Sequence, residues 1–138
     1  MIERRQTHIN ELIREYRITE NGATLTYMPD HEPALGARHF PMSPDWTSGY
    51  ALARGADLLI HDAQFNCAEY AERVGWGHSA FADVLKFATL TRVKHLVPFH
   101  HDPAHTDEQI DRLVEEAVAA ARPSFAVTPG KEGDTFVL

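Results

Sequence analysis

Two short apolar runs, Leu58–Ile60 and Leu96–Phe99, stand out from polar and glycine-bearing surroundings. Runs of this length predict buried β-strands. Each ends abruptly in ionisable residues, the first in His61-Asp62 and the second in His100-His101-Asp102. A third histidine, His78, sits between them in the turn Gly75-Trp76-Gly77-His78-Ser79. Side chains with chemical work in α/β proteins gather where strands end. The pattern therefore predicts that these loops converge on one polar site.

The flanking sequence supplies the other elements. Residues 2–18 place Ile9, Leu12, Ile13 and Tyr16 at helix-like spacing, yet the stretch runs into a clear β signal, so this entry segment reads as helix or strand. Alternating residues on both sides of Asn21-Gly22 predict a hairpin of two antiparallel strands ending at Met28. Pro29 and Pro33 bracket Asp30, His31 and Glu32, where no ladder can continue. Residues 34–44 read as a loop, mobile or in contact with a partner. A short helix is expected over 45–54, capped by Asp45 and ended by Gly55. Asn66 caps a predicted helix over 67–74. Ser79 caps another, with Phe81, Val84, Leu85 and Ala88 on its apolar face. Thr106 with Gln109 matches a capping box opening a helix through about Ala121, with Ile110, Leu113, Val114 and Val118 inward. Short terminal strands are expected over 124–127 and 135–138, around Pro129-Gly130. The order predicts an α/β (α+β) fold, a mixed sheet with helices on one face.

The length of 138 residues fits one domain spanning 1–138. Hydrophobic content of 43% and charged content of 24% are those of a soluble globular protein. The formal net charge is −7, and Arg4-Arg5 is the one visible basic pair, so there is no strong nucleic-acid signal. A single cysteine, Cys67, excludes an internal disulfide and a cysteine-based zinc site. The charged start carries no signal peptide, and no apolar run nears the roughly 18 residues of a membrane span. A cytoplasmic protein that does not engage a membrane is the expectation.

Histidine changes the picture. There are nine, and seven lie from His31 to His101, mostly beside Asp, Pro or Gly. Imidazole is a frequent metal ligand and the usual acid–base group near neutrality. His8, His39, His95 and His105 read as surface residues. Asp30, His61, Asp62, His78, His100, His101 and Asp102 form a candidate set whose nitrogen and carboxylate donors suit Zn²⁺, Mn²⁺ or Fe²⁺. Asp30 and Asp102 also suit turns, a reading preferred for Asp102. Asp62 and His78 also suit a buried structural pair. Residue types alone fit a metal site and a satisfied polar core equally.

Four segments, in order, carry a resemblance: Thr26-Tyr-Met-Pro-Asp-His-Glu-Pro33, Gly55-Ala-Asp-Leu-Leu-Ile-His-Asp-Ala-Gln-Phe65, Gly75-Trp-Gly-His-Ser79 and Leu96-Val-Pro-Phe-His-His-Asp-Pro103. The chain resembles the metallo-β-lactamase superfamily, on its ribonuclease Z and phosphodiesterase-like side. The resemblance implies half of an αββα sandwich, the C-terminal half only, because the motif His-x-His-x-Asp-His is absent from these residues. It implies that Asp30 and His100 are metal ligands in a two-metal zinc site, with Mn²⁺ or Fe²⁺ as substitutes, and that His78 and Asp62 are the catalytic acid–base pair. His8, His31, His61 and His101 are further candidates. The implied substrate is a phosphodiester or another small molecule. The implied partner is a missing N-terminal half or a second copy. With two or three ligands, the chain alone is expected to hold metal weakly and to be inactive, the alternative being a non-catalytic dimerisation or binding module.

Overall fold

The computed structural model describes residues 2–6, 14–35, 37 and 39–138, with 2–6 and 14 as backbone alone. Strands β1 (Ile2–Gln6), β2 (Arg14–Glu20), β3 (Ala23–Met28), β4 (Leu58–Asp62), β5 (His95–Phe99) and β6 (Ala126–Val127) form a sheet whose spatial order follows the chain. β1, β2 and β3 are antiparallel neighbours, while β3 to β6 run parallel. The sheet is thus mixed, as expected. The entry segment resolves as strand over Ile2–Gln6, and the helix-like positions Ile9, Leu12 and Ile13 lie outside the described residues. Asn21 (φ 50°) and Gly22 (φ 85°) are both left-handed, the two-residue turn that matches the twist of paired strands.

Helices α1 (Tyr50–Ala53), α3 (Phe81–Thr91) and α4 (Asp107–Ala121) pack on one face of the sheet, and α2 (Cys67–Glu72) follows β4. The parallel register sorts the side chains. Thr26, Leu59 and Leu96 lie in one row and Met28, His61 and Pro98 in the next, all towards the helices. There Leu59, Phe81, Val84, Leu85, Phe87, Ala88 and Leu96 make the core, each at most 2% exposed. Leu25, Tyr27, Ile60 and Phe99 alternate to the opposite face and are only partly buried. Ile18, paired with Leu25, is 37% exposed. This face is apolar and carries no helix among the described residues.

Several local expectations need correction. The predicted helix over 45–54 is split: a single 3₁₀ turn covers Pro44–Trp46, the chain turns left-handed at Gly49, and α1 then spans four residues. Asp45 lies inside that first turn and caps nothing, since Ser43 holds the capping position. Of the expected loop over 34–44, Ala34 and Phe40 are buried in the core. Ser79 does not cap α3. Ala80 stands at the cap, and the Ser79 hydroxyl donates to the His31 carbonyl instead. By contrast, Asn66 with Glu69 and Thr106 with Gln109 both form complete capping boxes. The strand over 135–138 is absent, and β6 is trimmed to two residues. Pro98 explains the trimming: its carbonyl accepts from the Gly130 N–H at 2.9 Å, but it has no N–H to return, so the β5–β6 ladder cannot extend past Val127. Among the described residues, no helix is long and apolar enough to cross a membrane.

Candidate functional site

The parallel strands β3, β4 and β5 deliver three loops to one end of the sheet. The Pro29–Pro33 segment leaves β3, the turn carrying His78 follows β4 and α2, and His100 follows β5 directly. His61 and Asp62 are consecutive on β4, so their side chains leave on opposite faces. His61 goes into the helical core, and Asp62 goes to the opposite side, where the loops meet. This alternation decides which of the two enters the site.

Asp30, Asp62, His78 and His100 come together, each with one ligand atom within 4.8 Å of all the others. Asp62 is the hub and has no solvent exposure. Its Oδ2 accepts from His78 Nδ1 at 2.6 Å and from His100 Nδ1 at 2.9 Å. Its Oδ1 accepts from the backbone N–H groups of Ser79 at 2.8 Å and Gln64 at 3.4 Å. His100 Nδ1 also points at the Pro29 carbonyl, 3.0 Å away. Both acceptors lack a proton, so Nδ1 of His100 is the protonated nitrogen. Asp30 Oδ1 lies 3.5 Å from His100 Nδ1 and 3.9 Å from His78 Nδ1. The Asp30 side chain remains 42% exposed, the open side of the cluster. His100 holds φ at 58°, a left-handed conformation costing roughly 1–3 kcal/mol in a non-glycine residue and concentrated at functional sites. The hydrogen bond that His78 donates to Asp62, opposed by partial burial, holds the His78 pKa above the usual imidazole value.

The other candidate histidines lie outside this group. His61 Nδ1 donates to the Asp62 carbonyl at 2.6 Å, and its Nε2 therefore accepts from His31 Nδ1 at 2.8 Å. Both rings pack edge-on or tilted against Phe87. Burial pushes the His61 pKa down, so this ring is neutral. His31 Nε2 faces Glu15 Oε1 at 3.6 Å, with both residues buried. His101 turns to a separate cleft beside Asp107, Ile110 and Gly130, and burial lowers its pKa too. Asp102 is a turn residue, its Oδ1 accepting from the Ala104 N–H at 2.9 Å. His105 is no free surface residue, since its Nε2 pairs with Glu69 Oε1 at 2.7 Å. His8 lies outside the described residues.

Glu32, which sequence reasoning passed over, ties two of the loops together. Its buried carboxylate accepts from Tyr70 Oη at 2.7 Å, from the Gly75 N–H at 2.9 Å and from the Gly77 N–H at 3.0 Å. Gly75 (φ 86°) and Gly77 (φ 87°) adopt left-handed backbone that turns both N–H groups inward. The turn bearing His78 is thereby bolted to the segment bearing Asp30.

No family model matches the chain. Ribonuclease Z of Pseudomonas putida strain KT2440 is 40% identical over 76 residues, which are 50% of this chain and 24% of that protein. Ribonuclease Z of Salinispora arenicola is 32% identical over 111 residues, 79% of this chain and 35% of that protein. The metallo-β-lactamase fold protein YhfI from Bacillus subtilis superposes with a TM-score of 0.70 at 20% identity, over 96% of this chain and 47% of that one. These matches support the resemblance to the metallo-β-lactamase superfamily, on its ribonuclease Z branch, over part of that fold. The chain spans about a quarter to a third of the curated ribonuclease Z relatives it matches. The absence of a nucleic-acid signal is not borne out, because the matched relatives are ribonucleases by name. Net charge reports a long-range field and says nothing of local recognition.

Proposed function

We propose that this chain is the C-terminal part of a metal-dependent phosphodiesterase, with an RNA phosphodiester as the favoured substrate class. The observation that carries the reading is the convergence of Asp30, Asp62, His78 and His100 from three loops. Their imidazole and carboxylate donors suit a borderline divalent cation, Zn²⁺ first, with Mn²⁺ or Fe²⁺ as substitutes. Asp30 and His100 would hold it, and residues outside this chain would complete the three protein ligands usual at a catalytic centre. Bound there, the cation supplies positive charge that polarises a phosphoryl oxygen.

The chain's own side chains do the rest. Asp62 orients both imidazoles through their Nδ1–H groups, leaving Nε2 of each ring for other work. His78, with its pKa raised, retains a proton near neutrality and delivers it from Nε2 to the leaving oxygen. The exposed edge of Asp30 is where substrate enters. Equilibrium dialysis followed by elemental analysis tests the reading: Asp30→Ala should lower bound metal, and unchanged metal content overturns the ligand role. Hydrolysis of bis(4-nitrophenyl) phosphate by the protein completed with its other half tests the activity.

A second reading has its own support. The apolar face bearing Ile18, Leu25, Tyr27, Ile60 and Phe99 suits a non-catalytic dimerisation module. A metal-free, self-associating chain would favour it.

A further inference from the structure

Resting on the phosphodiesterase reading, we propose that Trp76 and Arg73 form a nucleotide subsite beside the cluster, Trp76 stacking a base and Arg73 pairing with the adjoining phosphate. Trp76 is 66% exposed, so its ring adds little to the core. Its backbone is nevertheless fixed, since the N–H groups of both neighbours, Gly75 and Gly77, are held by the buried Glu32 carboxylate. A large ring on a rigid turn two residues from His78 is a preorganised platform. The Arg73 guanidinium lies 5.9 Å from the Trp76 ring centroid and 5.1 Å from that of Phe65. The Phe65 ring in turn meets His78 edge-on at 6.0 Å. A continuous strip therefore leads from the candidate acid, across a buried ring, to a cation and an exposed indole.

That order of groups matches a nucleotide chain. Single-stranded nucleic acid is held by aromatic faces that stack bases and by cations that track phosphates. The strip offers one of each, in a molecule whose net charge of −7 gives phosphate no general attraction. Such recognition is local and escapes any count of basic residues. The occupant is a base and phosphate neighbouring the scissile bond, rather than a peptide, because a guanidinium beside an indole pairs an anion with a flat ring.

The test uses the 138-residue chain carrying Trp46→Phe, in which Trp76 is the sole tryptophan. A five-nucleotide oligouridylate should quench its fluorescence saturably, and ribose 5-phosphate at the same concentration should not. By fluorescence polarisation of a labelled oligouridylate, Trp76→Ala should bind roughly 5- to 150-fold more weakly, the range that about 1–3 kcal/mol per stacked base converts to. Arg73→Ala should flatten the salt dependence. An unchanged urea midpoint for Trp76→Ala shows that folding is intact. Equal affinity in Trp76→Ala, or equal quenching by ribose 5-phosphate, overturns the subsite. Metal content is read on the same samples: metal bound without stacking leaves the hydrolase reading standing and removes the subsite. Stacking without metal leaves the subsite standing, because the chain alone lacks part of the ligand set.

Discussion

Removing Glu32 should loosen the site from behind. In Glu32→Ala the Tyr70 hydroxyl and the Gly75 and Gly77 N–H groups lose their shared acceptor. A buried donor left unsatisfied costs about 1–3 kcal/mol, and a bond to a charged acceptor is at the upper end. Tyr70 is buried, so little water reaches its hydroxyl to replace the lost acceptor. The two glycines are exposed or half-buried, and water recovers much of theirs. The total is about 2–4 kcal/mol. With a urea slope of about 1–3 kcal/mol/M, the unfolding midpoint should fall by roughly 0.7–4 M at unchanged slope. Glu32→Gln keeps one acceptor oxygen and should lose about half as much.

The same variants carry a reading that a plain loss of stability does not produce. The Glu32 charge is among the causes that raise the His78 pKa, though the hydrogen bond His78 donates to Asp62 is the largest. Glu32→Gln should therefore move the His78 imidazole titration, followed by NMR, towards lower pH. A wild-type urea midpoint in Glu32→Ala would refute the clamp. A midpoint that falls with an unshifted His78 titration would refute its connection to the site.

Three further outcomes follow from the geometry. In the completed protein, His78→Ala should slow phosphodiester hydrolysis by roughly 10²–10⁴-fold while metal content holds, and full activity would remove the acid role. Stability measured by urea unfolding across pH should peak near the ordinary imidazole pKa of about 6.5. His61 has a lowered pKa in the fold, so below that value the unfolded chain takes up a proton the fold refuses, and stability falls on acidification. His78 has a raised pKa, so its contribution is complete below that value and is lost as pH rises through its folded pKa. A profile that stays flat in this window contradicts both. On the open face, Ile18→Asp should reduce self-association measured by sedimentation, and a monomeric parent chain would remove the dimerisation reading.

The features readable from sequence were those set by local chemistry. The Asn21-Gly22 hairpin, both capping boxes and the buried strands β4 and β5 each announce themselves within a few residues. The convergence of Asp30, Asp62, His78 and His100 was also legible, because parallel strands deliver their ends to a common edge. What escaped were the long-range polar contacts. Nothing near Glu32 indicates that its carboxylate will find N–H groups 43 and 45 residues away. Ser79 looked like a helix cap, yet its hydroxyl serves a carbonyl 48 residues away.

These two misses share a cause, which bears on how the site is built. A helix cap or a turn is satisfied by its own neighbours, so its signature is local. The segment from Asp30 to Glu32 has prolines on both sides and no ladder to join, so its polar groups must be satisfied from elsewhere. The Gly75–Ser79 turn provides that: two N–H groups to Glu32 and one hydroxyl to His31, from the stretch that carries His78. Two irregular loops thus complete each other's hydrogen bonding, and in doing so they fix Asp30 relative to His78. The positions that local rules describe worst are therefore those where the chain spends its buried polar contacts on holding the site's geometry.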